Sequence, residues 1–155
     1  MMTTNKTDSQ SQLGDLNILL NEYGEKLIKL CEKIENYRVK YYLTLSLFFL
    51  HGGCIALITW VTSFFKENIY FAILGVPIFT LFIVYNAIFF QNIKRRLKSL
   101  KKTAKQISLR LEKIIRVASQ IHNQTDKLSI LALESDLRLA DAESALEYYQ
   151  EIVGK

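Results

Sequence analysis

Two apolar runs, free of charged residues, lie back to back at the centre of the chain. Tyr41 to Phe65 reads YYLTLSLFFLHGGCIALITWVTSFF and Ile69 to Phe90 reads IYFAILGVPIFTLFIVYNAIFF, with only Lys66-Glu67-Asn68 between them. A helix rises about 1.5 Å per residue, so runs of 25 and 22 residues reach roughly 37 and 33 Å. The hydrocarbon core of a bilayer is about 30 Å thick, and each run can cross it once. In lipid every backbone N–H and C=O needs a partner within its own segment, so both runs are expected to be helical. A three-residue link makes the two helices antiparallel neighbours. The competing reading is a pair of buried helices in a soluble core. It would need other helices to cover them, and those left in the sequence are strongly charged.

At 155 residues the chain is one domain's worth. The first apolar run begins at residue 41, beyond the usual place of a signal peptide. Residues 1–12, MMTTNKTDSQSQ, are polar and unpatterned and read as a disordered tail. Cys31 and Cys54 are the only cysteines. One precedes the first run and the other lies at membrane depth, so they are read as packing residues rather than a disulfide. With two histidines they make no zinc pattern, and no metal or other cofactor is expected.

Charge orients the hairpin. Residues 1–40 carry six basic and six acidic side chains, with Lys33, Arg38 and Lys40 nearest the first run. Residues 91–116 carry ten Lys or Arg against one Glu. Basic flanks stay on the cytoplasmic side. The expected setting is therefore a bacterial inner membrane, with both termini cytoplasmic and Lys66-Glu67-Asn68 outside. Trp60 and Tyr70 suit the outer interface; Tyr37, Tyr41, Tyr42 and Tyr85 suit the inner side.

The flanks repeat in heptads. Leu13, Leu16, Leu20, Tyr23, Leu27, Leu30, Ile34, Tyr37 and Tyr41 alternate steps of three and four, and no breaker separates them from the first run. Ile93, Leu97, Leu100, Ala104, Ile107, Leu111, Ile114, Ala118 and Ile121 continue the second run in the same way. His122-Asn123-Gln124-Thr125-Asp126 interrupts the pattern, and Thr125 or Asp126 can cap a new helix. That helix carries Leu128, Ala132, Ser135, Leu139, Ala142, Leu146, Tyr149 and Val153. The expected architecture is an all-α membrane protein: a tail at 1–12, a cytoplasmic helix at 13–40, a transmembrane hairpin at 41–90 and a cytoplasmic helical hairpin at 91–155, with coiled-coil helices on both sides of the spans. Residues 117–155 carry three basic and seven acidic side chains, so antiparallel pairing across the turn is expected to set opposite charges side by side. The apolar seams point to a homo-oligomer; an intramolecular three-helix bundle is the alternative.

Several residues could carry function. His51, Gly52, Gly53 and Cys54 stand together in the first run. An imidazole at that depth must face protein or water, so His51 is either a pore or gate residue or a neutral group bonded to a neighbouring helix. Gly75, Pro77 and Asn86 in the second run either pack helices or form a hinge. Neither run contains Asp or Glu, so a pore would be poorly selective or would act by disturbing the membrane. The basic stretch with Lys98, Lys101, Lys102, Lys105, Arg110, Lys113 and Arg116 reads in three ways: contact with anionic lipid, pairing with the acidic last helix, or a phosphate-binding surface to which His122, Asn123 and Gln124 add base-edge donors. No phosphate-cradling glycine loop, HExxH or CxxC is present, so no enzyme is expected. Duplex DNA is not an expected partner.

A helix, two spans with a very short outer loop, and a long basic helix resemble the SLATT superfamily over roughly residues 15–121. That resemblance implies a pore-forming or membrane-damaging effector of nucleotide-signalled antiviral defence. The chain is also similar to the small membrane effectors of type III CRISPR systems, which implies a tetramer whose soluble part binds cyclic tetra-adenylate. The mitochondrial calcium uniporter shares the order of coiled coil, two spans and coiled coil. Its acidic selectivity motif has no counterpart here, where Lys66-Glu67-Asn68-Ile69-Tyr70 occupies the place. A membrane-anchored coiled-coil adaptor that recruits a soluble partner is the rival reading.

Overall fold

The computed structural model describes residues 4–64, 69–122 and 130–154, which form three helices: α1 (Thr4–Phe64), α2 (Ile69–His122) and α3 (Ile130–Gly154). The link Lys66-Glu67-Asn68, the caps Thr125 and Asp126, and Leu128 lie outside the described residues. The flanking helices and the apolar runs are continuous, as the unbroken heptads require. Residues 4–12, expected as a tail, are helical instead. They contain no Gly or Pro, and extending a formed helix costs far less than nucleating one. Likewise α2 passes through Gly75 and Pro77 without ending. Pro77 has no N–H, so the Ile73 carbonyl loses its usual helical partner there.

The chain divides into two compact units, one of Met1–Glu35 with Ser99–Lys155 and one of Asn36–Lys98. The second is an antiparallel helical hairpin. Tyr37 accepts a hydrogen bond from Arg96 at 3.2 Å, the Tyr41 and Phe90 rings lie 4.7 Å apart, and His51 stacks on Phe82 at 5.6 Å. As α1 advances, its partner on α2 recedes. Two helices here are long and apolar enough to cross a membrane, and their apolar stretches are only 6% and 11% buried. A soluble core helix would be mostly buried. Phe49, Leu81 and Tyr85 instead stand 73%, 70% and 67% exposed.

In the first unit three helical segments share one core, built from Leu13, Leu20, Leu27, Cys31 and Ile34 of α1, Ala104, Leu111 and Ala118 of α2, and Ala132, Ala142, Ala145 and Ile152 of α3. Asn21 accepts from Arg138 at 3.0 Å, and Tyr148 donates to Glu35 at 3.4 Å, so α1 and α3 run parallel. The seams that argued for an oligomer are thus covered within one chain. The inward stripe of α1 is also displaced from the expected one. Leu13, Leu20, Leu27 and Ile34 are buried as expected, but the positions alternating with them are Asn17, Gly24 and Cys31, while Leu16, Tyr23 and Leu30 are half-buried. A helix covered from two sides turns the bisector of its contacts inward. The larger Leu and Tyr side chains then flank the wedge.

Candidate functional site

Within the hairpin unit, His51 is the one imidazole, and α1 fixes it locally. A carbonyl can only accept, so Nδ1 carries a proton and donates it to the Leu47 carbonyl one turn back at 2.6 Å. The ring then lies flat on Phe82, and Phe79 meets its edge at 6.2 Å. This is the arrangement of a helix-packing group. Gly52 and Gly53 are exposed, with open space where a Cβ would stand. At Gly75 a Cβ would meet Ile58 Cδ1 at 3.6 Å, an ordinary contact, so the approach of the two helices there does not demand glycine. Pro77 is exposed, whereas Asn86 is buried. His51, Phe79 and Phe82 therefore come together, while Gly52, Gly53 and Pro77 lie on open faces. Thr44, Thr59, Thr62 and Thr80 each return a hydrogen bond to a carbonyl one turn back on their own helix, at 2.7 to 2.9 Å.

The basic stretch follows α2 as an exposed surface. Lys98, Lys102, Lys105, Arg110, Lys113 and Arg116 are exposed and Lys101 is half-buried. Asn123 and Gln124 lie outside the described residues. His122 is drawn away from this surface: its Nε2 is 3.0 Å from Asp136 Oδ1 of α3. This contact joins α2 to α3. Asp141, Glu143 and Glu147 are exposed on α3, just as most of the cations are on α2. Outward charges keep their hydration, and an exposed pair would add little.

A groove of this unit lies elsewhere. It encloses about 720 Å³ between α1 and α3, with Asn17, Asn21, Glu25, Lys29, Glu134 and Arg138 among its walls. None of the basic stretch reaches it. Lys29 is tied to Glu25 at 3.2 Å and Lys26 to Glu22, so much of the groove's charge is neutralised along α1 itself. Asn17 is 5% exposed, and neither polar atom of its amide has a hydrogen-bond partner. Ser135 Oγ and His122 Nδ1 are likewise buried without partners. The contact of Asn21 with Arg138 places Asn17 and Ser135 at similar heights in the bundle. The seams read from the sequence included Ser135 but passed over Asn17, which lies beside the expected stripe. Among the described residues no cluster of His, Cys, Asp or Glu could hold a metal ion.

Compared with known proteins, the chain matches no family model, no curated protein and no solved structure.

Proposed function

We propose that this chain is a two-span inner-membrane protein with both termini cytoplasmic, acting as an oligomeric effector whose helical bundle governs a pore or a local disruption of the bilayer. The observation that carries this reading is the continuity of α2, one helix from Ile69 in the apolar hairpin to His122 in the bundle. A rotation or splaying of α2 within the bundle would act on the spans through the same continuous helix. The bundle supplies a candidate two-state element in the unsatisfied layer at Asn17 and Ser135, since each unpaired buried polar group costs about 1–3 kcal/mol and weakens the closed packing. The defence role, and cyclic tetra-adenylate as the trigger, come from the family resemblance alone. For that ligand the exposed cations Lys102, Lys105, Arg110, Lys113 and Arg116 offer the phosphate contacts. The test is triggered expression in bacteria while a potential-sensitive dye is followed. Depolarisation that is lost when Lys105, Arg110 and Lys113 are changed to Gln supports the gated effector; an unchanged potential, with and without cyclic oligonucleotide, removes it.

One observation favours the adaptor. Ile130, Leu133 and Leu137 form a row along α3 and are 88%, 67% and 61% exposed. An apolar row of this kind on a soluble bundle suits a protein partner. A stoichiometric partner lost on changing Leu133 and Leu137 to Ser, without any change in permeability, would establish the adaptor instead.

A further inference from the structure

The hairpin unit carries a groove of about 360 Å³ at its basic end. Leu45 and Phe48 of α1 and Ala87 and Phe90 of α2 form its apolar walls, and Gln91 and Lys94 complete it. Ala87, Gln91 and Lys94 sit one turn apart in succession, so a single row on α2 passes from apolar through amide to ammonium. The 4.7 Å contact between Tyr41 and Phe90 holds one wall in place. Lys94 is the charged residue of the groove's lining, and in residues 91–98 of α2 it stands with Arg95, Arg96 and Lys98 and no carboxylate. The polar end of the groove is therefore cationic.

We propose that this groove seats one acyl chain of an anionic phospholipid, with the phosphate held by the Lys94 ammonium and the Gln91 amide N–H. The inference rests on the membrane reading above and adds a ligand class to it. The walls of Leu, Phe and Ala offer an acyl chain dispersion contacts and no competing polar group. From Ala87 to Lys94 the helix rises about 10 Å, so one row can meet both the chain and the headgroup of a single lipid. The alternatives fit less well. A second copy would bring its own cationic rim against this one. A free phosphate compound would leave the apolar walls uncovered. A zwitterionic lipid would bring another cation beside Lys94.

The test uses the full-length protein in phosphatidylcholine nanodiscs with and without phosphatidylglycerol, with retained lipid counted by native mass spectrometry. One phosphatidylglycerol per chain is expected to be retained in preference to phosphatidylcholine. Lys94→Gln should weaken that retention about fivefold, the contribution of one cation near a lipid surface. Ala87→Trp, which fills the groove, should abolish it, and Lys98→Gln, outside the groove, should leave it intact. Equal retention of the two lipids overturns the proposal. So do equal losses from Lys94→Gln and Lys98→Gln, which would mean diffuse attraction only, or an Ala87→Trp variant that changes subunit number while keeping its lipid. A chain recovered in the aqueous fraction without detergent would overturn the membrane reading and this proposal together, whereas an embedded chain without lipid preference overturns the proposal alone.

Discussion

At the scale of single residues, chemistry is decided by what each side chain already touches. His51 has spent its N–H on Leu47 and its ring face on Phe82. A packing role predicts that His51→Phe keeps depolarising activity within about twofold, since an aromatic pair is retained and worth about 0.5–1.5 kcal/mol. His51→Ala should loosen the hairpin, read as faster proteolysis in detergent. If His51→Phe is silent while the protein still inserts, the imidazole itself is needed and the gate reading returns. Cys31 is fully buried, and burial pushes its thiol pKa up to about 11 from an ordinary 9.0. The thiol is therefore neutral near pH 7.5 and should resist maleimide until the bundle opens. The same shift has a sign for stability. Between about pH 9 and 11 the unfolded thiol gives up its proton while the folded one keeps it, so stability present below pH 9 is lost as pH rises through that window. Melting by circular dichroism from pH 8 to 11 should show the decline, and Cys31→Ala should flatten it.

At the scale of elements, the informative contrast is between the two faces of α1. Periodicity placed the repeat and its length correctly, because a three-four alternation survives any rotation of the helix. It could not say which of two adjacent stripes turns inward, because Leu16, Tyr23 and Leu30 are more apolar than Asn17 and Gly24 and dominate a hydropathy count. The choice belongs to the two helices packed alongside, which the α1 sequence does not contain. Two outcomes follow. Gly24 is buried, yet a Cβ added there meets nothing within 4 Å, so Gly24→Ala should stabilise the bundle by about 0.5–1 kcal/mol through helix propensity. Asn17→Leu, similar in branching, removes an unpaired buried amide and should raise stability by about 1–3 kcal/mol, measured as a higher melting midpoint. If the closed bundle is held near its tipping point by that amide, the same variant should also need more trigger to depolarise cells. A melting midpoint that falls would mean that Asn17 fixes helix register instead.

At the scale of the whole molecule, the two long apolar helices were the most legible part, since lipid imposes both a minimum length and near-freedom from charge, and the two runs from Tyr41 and Ile69 meet both demands. Least legible were the features that arise between helices: the His122–Asp136 pair, the outward placement of Glu143 and Glu147 away from Lys105 and Arg116, and the Asn17 groove. Each depends on which surfaces meet, and a linear pattern carries no such information. The membrane reading predicts that the chain resists extraction by alkaline carbonate and is released by detergent. Tags at either end should be cut in opened vesicles but spared in intact spheroplasts, and cleavage at one end from outside would refute the common cytoplasmic face. The four threonines of the hairpin bear on what any leak would look like. With Thr44, Thr59, Thr62 and Thr80 each bonded back onto a carbonyl of its own helix, these four hydroxyls have no proton left to donate to water in a passage. A conductive path alongside the hairpin would then owe its water to loosened lipid, and uncharged dyes should escape from vesicles together with potassium and chloride, at rates ordered by size rather than by charge.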